Sequence, residues 1–127
     1  MSKPNLKINI GSMEMKNPVT VASGTFGYGP EYADLVDINI LGAITVKGIS
    51  PEEHLGNATP RTYETSNGML NAIGLPGPGA VGFIDKYIPF LSAFNTPVIV
   101  NIWGKTIDDY GKVVDMLDSE KGIHAYE

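Results

Sequence analysis

Short hydrophobic runs, each closed by glycine or polar residues, alternate along this chain with segments whose apolar residues recur every three or four positions. Runs of the first kind predict β-strands, and segments of the second kind predict helices. Strand and helix therefore alternate from about Pro18 onwards. This order is typical of an α/β protein built on a parallel sheet.

The first segment has a different pattern. Apolar residues alternate with polar ones between Leu6 and Ile10 and again between Met13 and Met15, on either side of a Gly-Ser pair. Alternation on both sides of a short turn predicts a β-hairpin, here over residues 5–16.

Three strand–helix units and the start of a fourth strand follow the hairpin. The strands are predicted in PVTVAS (18–23), LGAITVKGI (41–49) and VIVN (98–101), and GIHAYE (122–127) begins the fourth. The helices are predicted in EYADLVDI (31–38), from about Ala80 to Leu91, and after Thr106, where Asp109 completes a capping box. A doubly wound domain closes within 127 residues, whereas a (β/α)8 barrel needs roughly 250, so the chain would be about half of a barrel.

Composition excludes several classes of function. The net charge is −5 and the nine Lys and Arg residues are scattered, so the phosphate-neutralising patch of a nucleic-acid-binding protein is not expected. There is no cysteine, and His54 and His124 lie far apart without carboxylates at ligand spacing, so no metal site is predicted and both are interpreted as ordinary loop and strand residues. With neither a signal peptide nor a long apolar span, a cytoplasmic protein without membrane contact is expected.

The first candidate ligand-binding residues are those at the ends of the predicted strands, because parallel α/β sheets bind ligands at the carboxyl ends of their strands. Ser23, Lys47 and Asn101 end the three strands and would offer a hydroxyl, a cation and an amide to a polar ligand. Each has a structural alternative. Ser23 could serve a turn, Lys47 could extend to water, and Asn101 could cap the next turn.

The connection from Ser50 to Gly79 is the second candidate, because about thirty residues far exceed an ordinary loop of ~4–6. It contains NGMLNAIGLPGPG (67–79), in which glycines permit close backbone approach and two asparagines offer donors and acceptors. Its apolar members, Met69, Leu70, Ile73 and Leu75, could cover one face of a planar ligand. The alternative is a loop packed under its own side chains.

Together, the segments PVTVASGTFGYGPEY, LGAITVKGIS, GNATPR, NGMLNAIGLPGPG and PVIVNIWG resemble the dihydroorotate dehydrogenases in order and spacing. The resemblance is strongest to the class whose catalytic subunit pairs with an electron-transfer subunit that carries FAD and a 2Fe–2S cluster and reduces NAD. It implies an FMN-binding (β/α)8 barrel that oxidises dihydroorotate to orotate in pyrimidine biosynthesis, acting as a homodimer with that subunit.

The resemblance also implies roles for individual residues. Lys47 would offset negative charge developing on the reduced flavin, and Asn71 with the loop amides would hold the substrate's carboxylate and ring. Ser50 and His54 depart from the family's usual residues, in a loop. FMN contacts would be Ser23, Lys47, Gly48 and Asn101, and substrate contacts Lys47, Asn71, Ala72, Ile73, Gly74 and Leu75.

In the class that this chain resembles, the general base is a cysteine on the loop after the fourth strand, and this sequence contains no cysteine. The chain is therefore expected to be an N-terminal fragment that is inactive alone. Two alternatives stay open: a truncated, non-catalytic module that binds flavin or a partner, and a related flavin barrel that oxidises another dihydropyrimidine.

Overall fold

The computed structural model describes residues 4–127 as eight strands and two α-helices. Two 3₁₀ turns, Pro30–Tyr32 and Ile38–Ile40, lie between the third and fourth strands. No helix in this part of the chain is long and apolar enough to cross a membrane. The elements are β1 (Ile8–Ile10), β2 (Met13–Met15), β3 (Thr20–Val21), β4 (Ala43–Ile49), β5 (Thr62–Thr65), β6 (Gly68–Asn71), α1 (Gly79–Leu91), β7 (Val98–Ile102), α2 (Ile107–Leu117) and β8 (Ala125–Tyr126).

A four-stranded parallel sheet in the order β3–β4–β7–β8 forms the centre of the molecule. Spatial order follows chain order, with α1 and α2 as crossovers. A doubly wound sheet would instead reverse its strand order at a switch point. The order observed here is consistent with a run of neighbouring strands from a (β/α)8 barrel.

Alternating strand residues divide between two clusters of buried side chains. Ile44 and Val46 of β4 belong to the main core, which contains the buried face of α1, including Phe83, and that of α2, including Val113. Ala43, the first residue of β4, instead packs with Met13 and Met15. Met13 and Met15 are two residues apart on β2 and therefore share one face, which packs on Ala43 at the amino-terminal end of the sheet. This end is opposite the one where Lys47 and Asn101 lie.

The predicted helices after β4 and β7 are confirmed. Helix α1 begins at Gly79, one residue before the expected start. Helix α2 follows Thr106, whose hydroxyl accepts from the Asp109 N–H while the Asp109 carboxylate accepts from the Thr106 N–H, so the capping box is present. The strand expected near the end of the chain is β8, which pairs parallel with β7.

The helix predicted over residues 31–38 is wrong. This segment overlaps the 3₁₀ turn Pro30–Tyr32 and then makes one further turn, closed by hydrogen bonds from the Leu35 and Val36 N–H groups to Tyr32 O, before Ile38–Ile40. The physical reason lies at Asp37, which is extended (φ −67°, ψ 105°) and accepts a side-chain hydrogen bond from the Asn39 N–H, starting a new turn where an α-helix would have continued.

The sequence predicted one long loop from Ser50 to Gly79, but part of this connection is regular. It contains the antiparallel pair β5–β6, joined by Ser66 and Asn67. The sequence contains a pattern that predicts this hairpin. Thr62–Thr65 is rich in β-branched and aromatic residues and is followed by a polar turn that ends in Gly68.

Candidate active site at the carboxyl ends of the strands

Lys47 and Asn101 lie on neighbouring strands at the carboxyl end of the sheet, where the strand-end argument placed them. Strands β4 and β7 pair in parallel with Val46 opposite Val100, and a register shift between Val46 and Ile49 then leaves Lys47 and Gly48 beside Asn101. A Cβ placed on Gly48 would lie only 2.8 Å from Asn101 Oδ1, which shows how closely the two strand ends approach. The Asn101 amide donates to Glu127 Oε2 at 2.8 Å.

The Lys47 side chain connects the end of β4 to the long connection. Its backbone N–H donates to Gly27 O at 2.9 Å, and its ammonium Nζ donates to Pro76 O at 2.7 Å. Within residues 4–127 no carboxylate oxygen lies within 4 Å of Nζ. A half-buried ammonium with three donors and one neutral acceptor is suited to a ligand that brings negative charge.

At Gly48 the neighbouring side chains leave no room for a Cβ. Its added Cβ would also lie 2.8 Å from Trp103 Cδ1, and the Trp103 N–H donates to Ile49 O at 2.9 Å. Trp103 therefore borders the strand ends and is only half-buried, so it is not simply a core residue.

The segment GNATPR (56–61) holds the predicted substrate loop in place. Asn57 donates its backbone N–H to Ile73 O at 3.1 Å and its side-chain amide to Ala72 O at 2.9 Å. Arg61 Nε in turn donates to Asn57 O at 2.5 Å. Gly74 adopts φ +80°, and a Cβ there would lie 2.7 Å from the Asn57 backbone nitrogen, so only glycine suits this position.

The apolar side chains of the same loop point to solvent. Leu70 is 65% exposed and Leu75 58% exposed, and Met69 and Ile73 are exposed as well. The loop is therefore not packed under its own side chains. Leu75 also has φ +50°, a conformation that is unfavourable for a γ-branched residue and is more frequent at functional sites than elsewhere.

Two predicted site residues, Asn71 and Ser23, are not linked to Lys47 by hydrogen bonds within residues 4–127. Asn71 is the last residue of β6, pairs with Thr62 and is exposed. Ser23 is half-buried in the turn closed by the hydrogen bond from Thr25 N to Ala22 O. Among the described residues, no hydrogen bond joins either side chain to Lys47 or Asn101.

Sequence reasoning missed Tyr28 and undervalued His54. Tyr28 is buried with no hydrogen-bond partner for its hydroxyl within residues 4–127, and burial, followed by the nearby Tyr87 and Glu31, raises the pKa of that phenol well above its usual range. His54 is not a free surface residue. Its Nδ1 is buried and has no hydrogen-bond partner among residues 4–127, and its ring stands edge-on to Trp103 at 5.6 Å between centroids.

His54 also fixes the start of the long connection to its end. Its backbone N–H donates to Gly77 O at 3.0 Å, and the Gly77 N–H donates back to His54 O at 2.8 Å. No group of three or more His, Asp or Glu side chains suited to a metal ion occurs between residues 4 and 127.

Comparison with known proteins agrees with this geometry. A family model described as dihydroorotate dehydrogenase matches residues 5–125. The chain is 56% identical over 117 residues to the catalytic subunit of dihydroorotate dehydrogenase B (NAD(+)) from Alkaliphilus metalliredigens, covering 92% of this chain and 39% of that protein. It is 51% identical over 124 residues to the subunit of the same name from Thermodesulfovibrio yellowstonii, covering 98% and 41%.

A solved structure supports the fold. DHODH from Eimeria tenella, crystallised in complex with ferulenol, matches with a TM-score of 0.61 at 22% identity, over 91% of this chain and 34% of that one. The chain spans about two fifths of the length of the curated relatives named above. From the family match over nearly all its residues and the identity to these relatives, the chain belongs to the dihydroorotate dehydrogenase family.

Proposed function

We propose that this chain is the N-terminal part of an FMN-dependent (β/α)8 barrel that oxidises dihydroorotate to orotate for pyrimidine biosynthesis. The observation that carries the proposal is the position of Lys47, whose ammonium lies between the strand ends and the loop that follows β6. One cation can thus serve a cofactor at the strand ends and a substrate under the loop.

The residues at the strand ends fit the isoalloxazine ring of FMN, which has carbonyl oxygens and ring nitrogens on a flat apolar body. Lys47 and Asn101 offer donors, and Ser23 adds a hydroxyl from the turn after β3. Gly48 allows Asn101 and Trp103 to approach the end of β4 closely, where a Cβ would collide with both. When bound, FMN supplies the hydride-accepting centre of the reaction. Lys47 would hold positive charge beside it, where negative charge develops.

The loop would bind dihydroorotate. Asn71 would hydrogen-bond the substrate's carboxylate or ring, and the backbone of residues 72–75 is held by Asn57 so that its amide groups keep a fixed position. Exposed Leu70 and Leu75 would cover the ring and exclude water. The base that removes the proton would be a cysteine from the part of the barrel beyond this sequence.

The relatives named above are catalytic subunits of NAD-linked enzymes, and this supports a partner for the present chain. The partner would be an electron-transfer subunit carrying FAD and a 2Fe–2S cluster, through which electrons reach NAD. The complete catalytic subunit would form a homodimer in the cytoplasm.

The test uses the complete catalytic subunit that contains this sequence, purified together with its electron-transfer subunit. We expect bound FMN, and orotate formed from dihydroorotate in step with NAD reduction. A preparation that binds FMN but oxidises a different dihydropyrimidine would contradict the substrate. A preparation without flavin would contradict the proposal as a whole.

A further inference from the structure

Glu127 lies beside Asn101, the strand-end residue that the proposed function assigns to the flavin. Its backbone belongs to the sheet, because the Glu127 N–H donates to Val100 O and its carbonyl accepts from the Ile102 N–H, both at 2.9 Å. Asn101 and Glu127 directly follow the last registered pair of β7 and β8, so they lie side by side on neighbouring strands. Strand pairing therefore fixes the position from which the Glu127 side chain extends.

The side chains of Asn101 and Glu127 extend from the face of the sheet that is turned away from the helices. Residues two apart on a strand share a face. Ile99 and Ala125, which precede this pair by two positions, pack with the methionines of β2. Val100, on the other face, packs in the core that contains the buried faces of α1 and α2. The helices of a (β/α)8 barrel form its outer ring, so this pair would face the inside of the barrel at the carboxyl ends of its strands.

The contact with Glu127 sets the orientation of the Asn101 amide. Asn101 Nδ2 donates to Glu127 Oε2 at 2.8 Å, and because a carboxylate only accepts, the amide nitrogen must be the atom that faces β8. The amide oxygen is then turned towards β4, where Oδ1 lies 2.8 Å from the position of a Cβ on Gly48. Among residues 4–127, no donor hydrogen-bonds to this oxygen. It is therefore an oriented acceptor at the ends of β4 and β7.

We propose that Glu127 is a positioning residue for FMN: it holds the Asn101 amide so that Oδ1 can accept a hydrogen bond from an N–H group of the flavin ring. The inference rests on the proposed function, which assigns Asn101 to the flavin, and it adds the residue that orients this contact.

The physical basis is preorganisation. An amide that can rotate freely must be ordered when a ligand binds, and this loss of conformational freedom weakens binding. A hydrogen bond to a charged acceptor is stronger than one between neutral groups, so Glu127 can keep the amide in one orientation before FMN arrives. Glu127 thereby raises the affinity for FMN without touching it.

The experiment uses the complete enzyme and measures the dissociation constant for FMN, from the FMN that is released on dilution and separated from FAD by chromatography. We expect Glu127→Ala to raise this constant about tenfold. Glu127→Gln should stay within about twofold of wild type, because the glutamine oxygen accepts the same hydrogen bond. The visible absorption maximum of the bound flavin should shift in Glu127→Ala but not in Glu127→Gln, which a general loss of stability would not cause. Asp115→Ala, at an exposed carboxylate on α2, is the control and should match wild type.

A double-mutant cycle with Asn101→Ala separates positioning from direct contact. Because Glu127 acts through Asn101, Glu127→Ala should weaken FMN binding no further in an enzyme that already carries Asn101→Ala. Additive losses, unchanged FMN affinity in Glu127→Ala, or an equal loss in Glu127→Gln would each overturn the inference and leave the proposed function standing. A wild-type enzyme that binds no FMN would overturn both.

Discussion

The ammonium nitrogen of Lys47 lies 2.7 Å from the carbonyl oxygen of Pro76, so the end of strand β4 is joined to the loop that follows β6. The two residues are far apart in sequence, and each belongs to a different part of the candidate site. Their hydrogen bond orients the side chain that we assign to both cofactor and substrate.

Replacing Lys47 with alanine removes that cation. In the complete enzyme we expect turnover to fall at least tenfold, equivalent to ~1.4 kcal/mol of activation free energy, because positive charge is lost where negative charge develops. Steady-state oxidation of dihydroorotate measures the effect. Lys105→Ala, at an exposed lysine in the turn before α2, is the control and should keep wild-type turnover. Full turnover in Lys47→Ala would remove Lys47 from the mechanism.

Gly48→Ala tests the space at the strand ends. The new Cβ would lie 2.8 Å from both Asn101 Oδ1 and Trp103 Cδ1, so we expect a loss of about 1–3 kcal/mol in the free energy of unfolding and a lower FMN content. Gly111→Ala is the control in helix α2, where a Cβ meets nothing within 4 Å and should stabilise by roughly 0.5–1 kcal/mol. Equal flavin content in the two variants would contradict the assigned contact.

Asn57→Ala tests the hydrogen bonds that hold the substrate loop. Losing the amide that donates to Ala72 O removes one neutral hydrogen bond, worth about 0.5–1.5 kcal/mol, so the KM for dihydroorotate should rise roughly two- to tenfold. Bound FMN should be retained. Asn67→Ala, in the exposed turn between β5 and β6, should behave as wild type. A change in FMN content without a change in KM would assign Asn57 to the cofactor instead.

The capping box of α2 predicts a pH dependence of stability. Thr106→Ala should lower the free energy of unfolding by about 1 kcal/mol. Partial desolvation raises the pKa of Asp109, but hydrogen bonds from the Thr106 and Lys105 backbone and from the Thr106 side chain, with nearby Lys112, outweigh it and lower the pKa below 3.8.

A carboxylate with a lowered folded-state pKa stabilises the protein above its unfolded-state pKa, and this stabilisation is lost as the pH falls through the folded-state value. Asp109→Asn should therefore be less stable than wild type at neutral pH, and the difference should shrink as the pH falls below about 3.8. Denaturant unfolding at several pH values measures it, and a difference independent of pH would show that the charge of Asp109 contributes nothing.

Much of the fold follows from local patterns. The capping residues of α2, the apolar spacing of α1 and the nearly continuous apolar run of β4 each identify their element because the signal lies within a few residues. The segment 31–38 misleads because its helical spacing is real, yet Asp37 forms a turn that interrupts it. Local pattern does not show which of two locally favourable conformations the chain adopts.

Some residues of the candidate site could likewise be predicted from local sequence, and others could not. Lys47 and Asn101 were predicted because each directly follows an apolar run, and the parallel pairing of β4 with β7 places them on neighbouring strands. The burial of Tyr28 depends on residues distant in sequence, such as Gly77 and Tyr87, and no spacing rule reports that its hydroxyl is buried with no partner among residues 4–127.

The paired hydrogen bonds between His54 and Gly77 bring the two ends of the long connection together before helix α1 begins. Everything between them, including β5 and β6, is in effect a closed loop held at its base, where Lys47 Nζ of β4 also donates to Pro76 O. The entropy of closing such a loop changes only slowly with its length. Insertions or deletions around Ser66 would therefore leave Lys47 and the start of α1 in place, which gives evolution a way to reshape the substrate-facing surface without rebuilding the barrel.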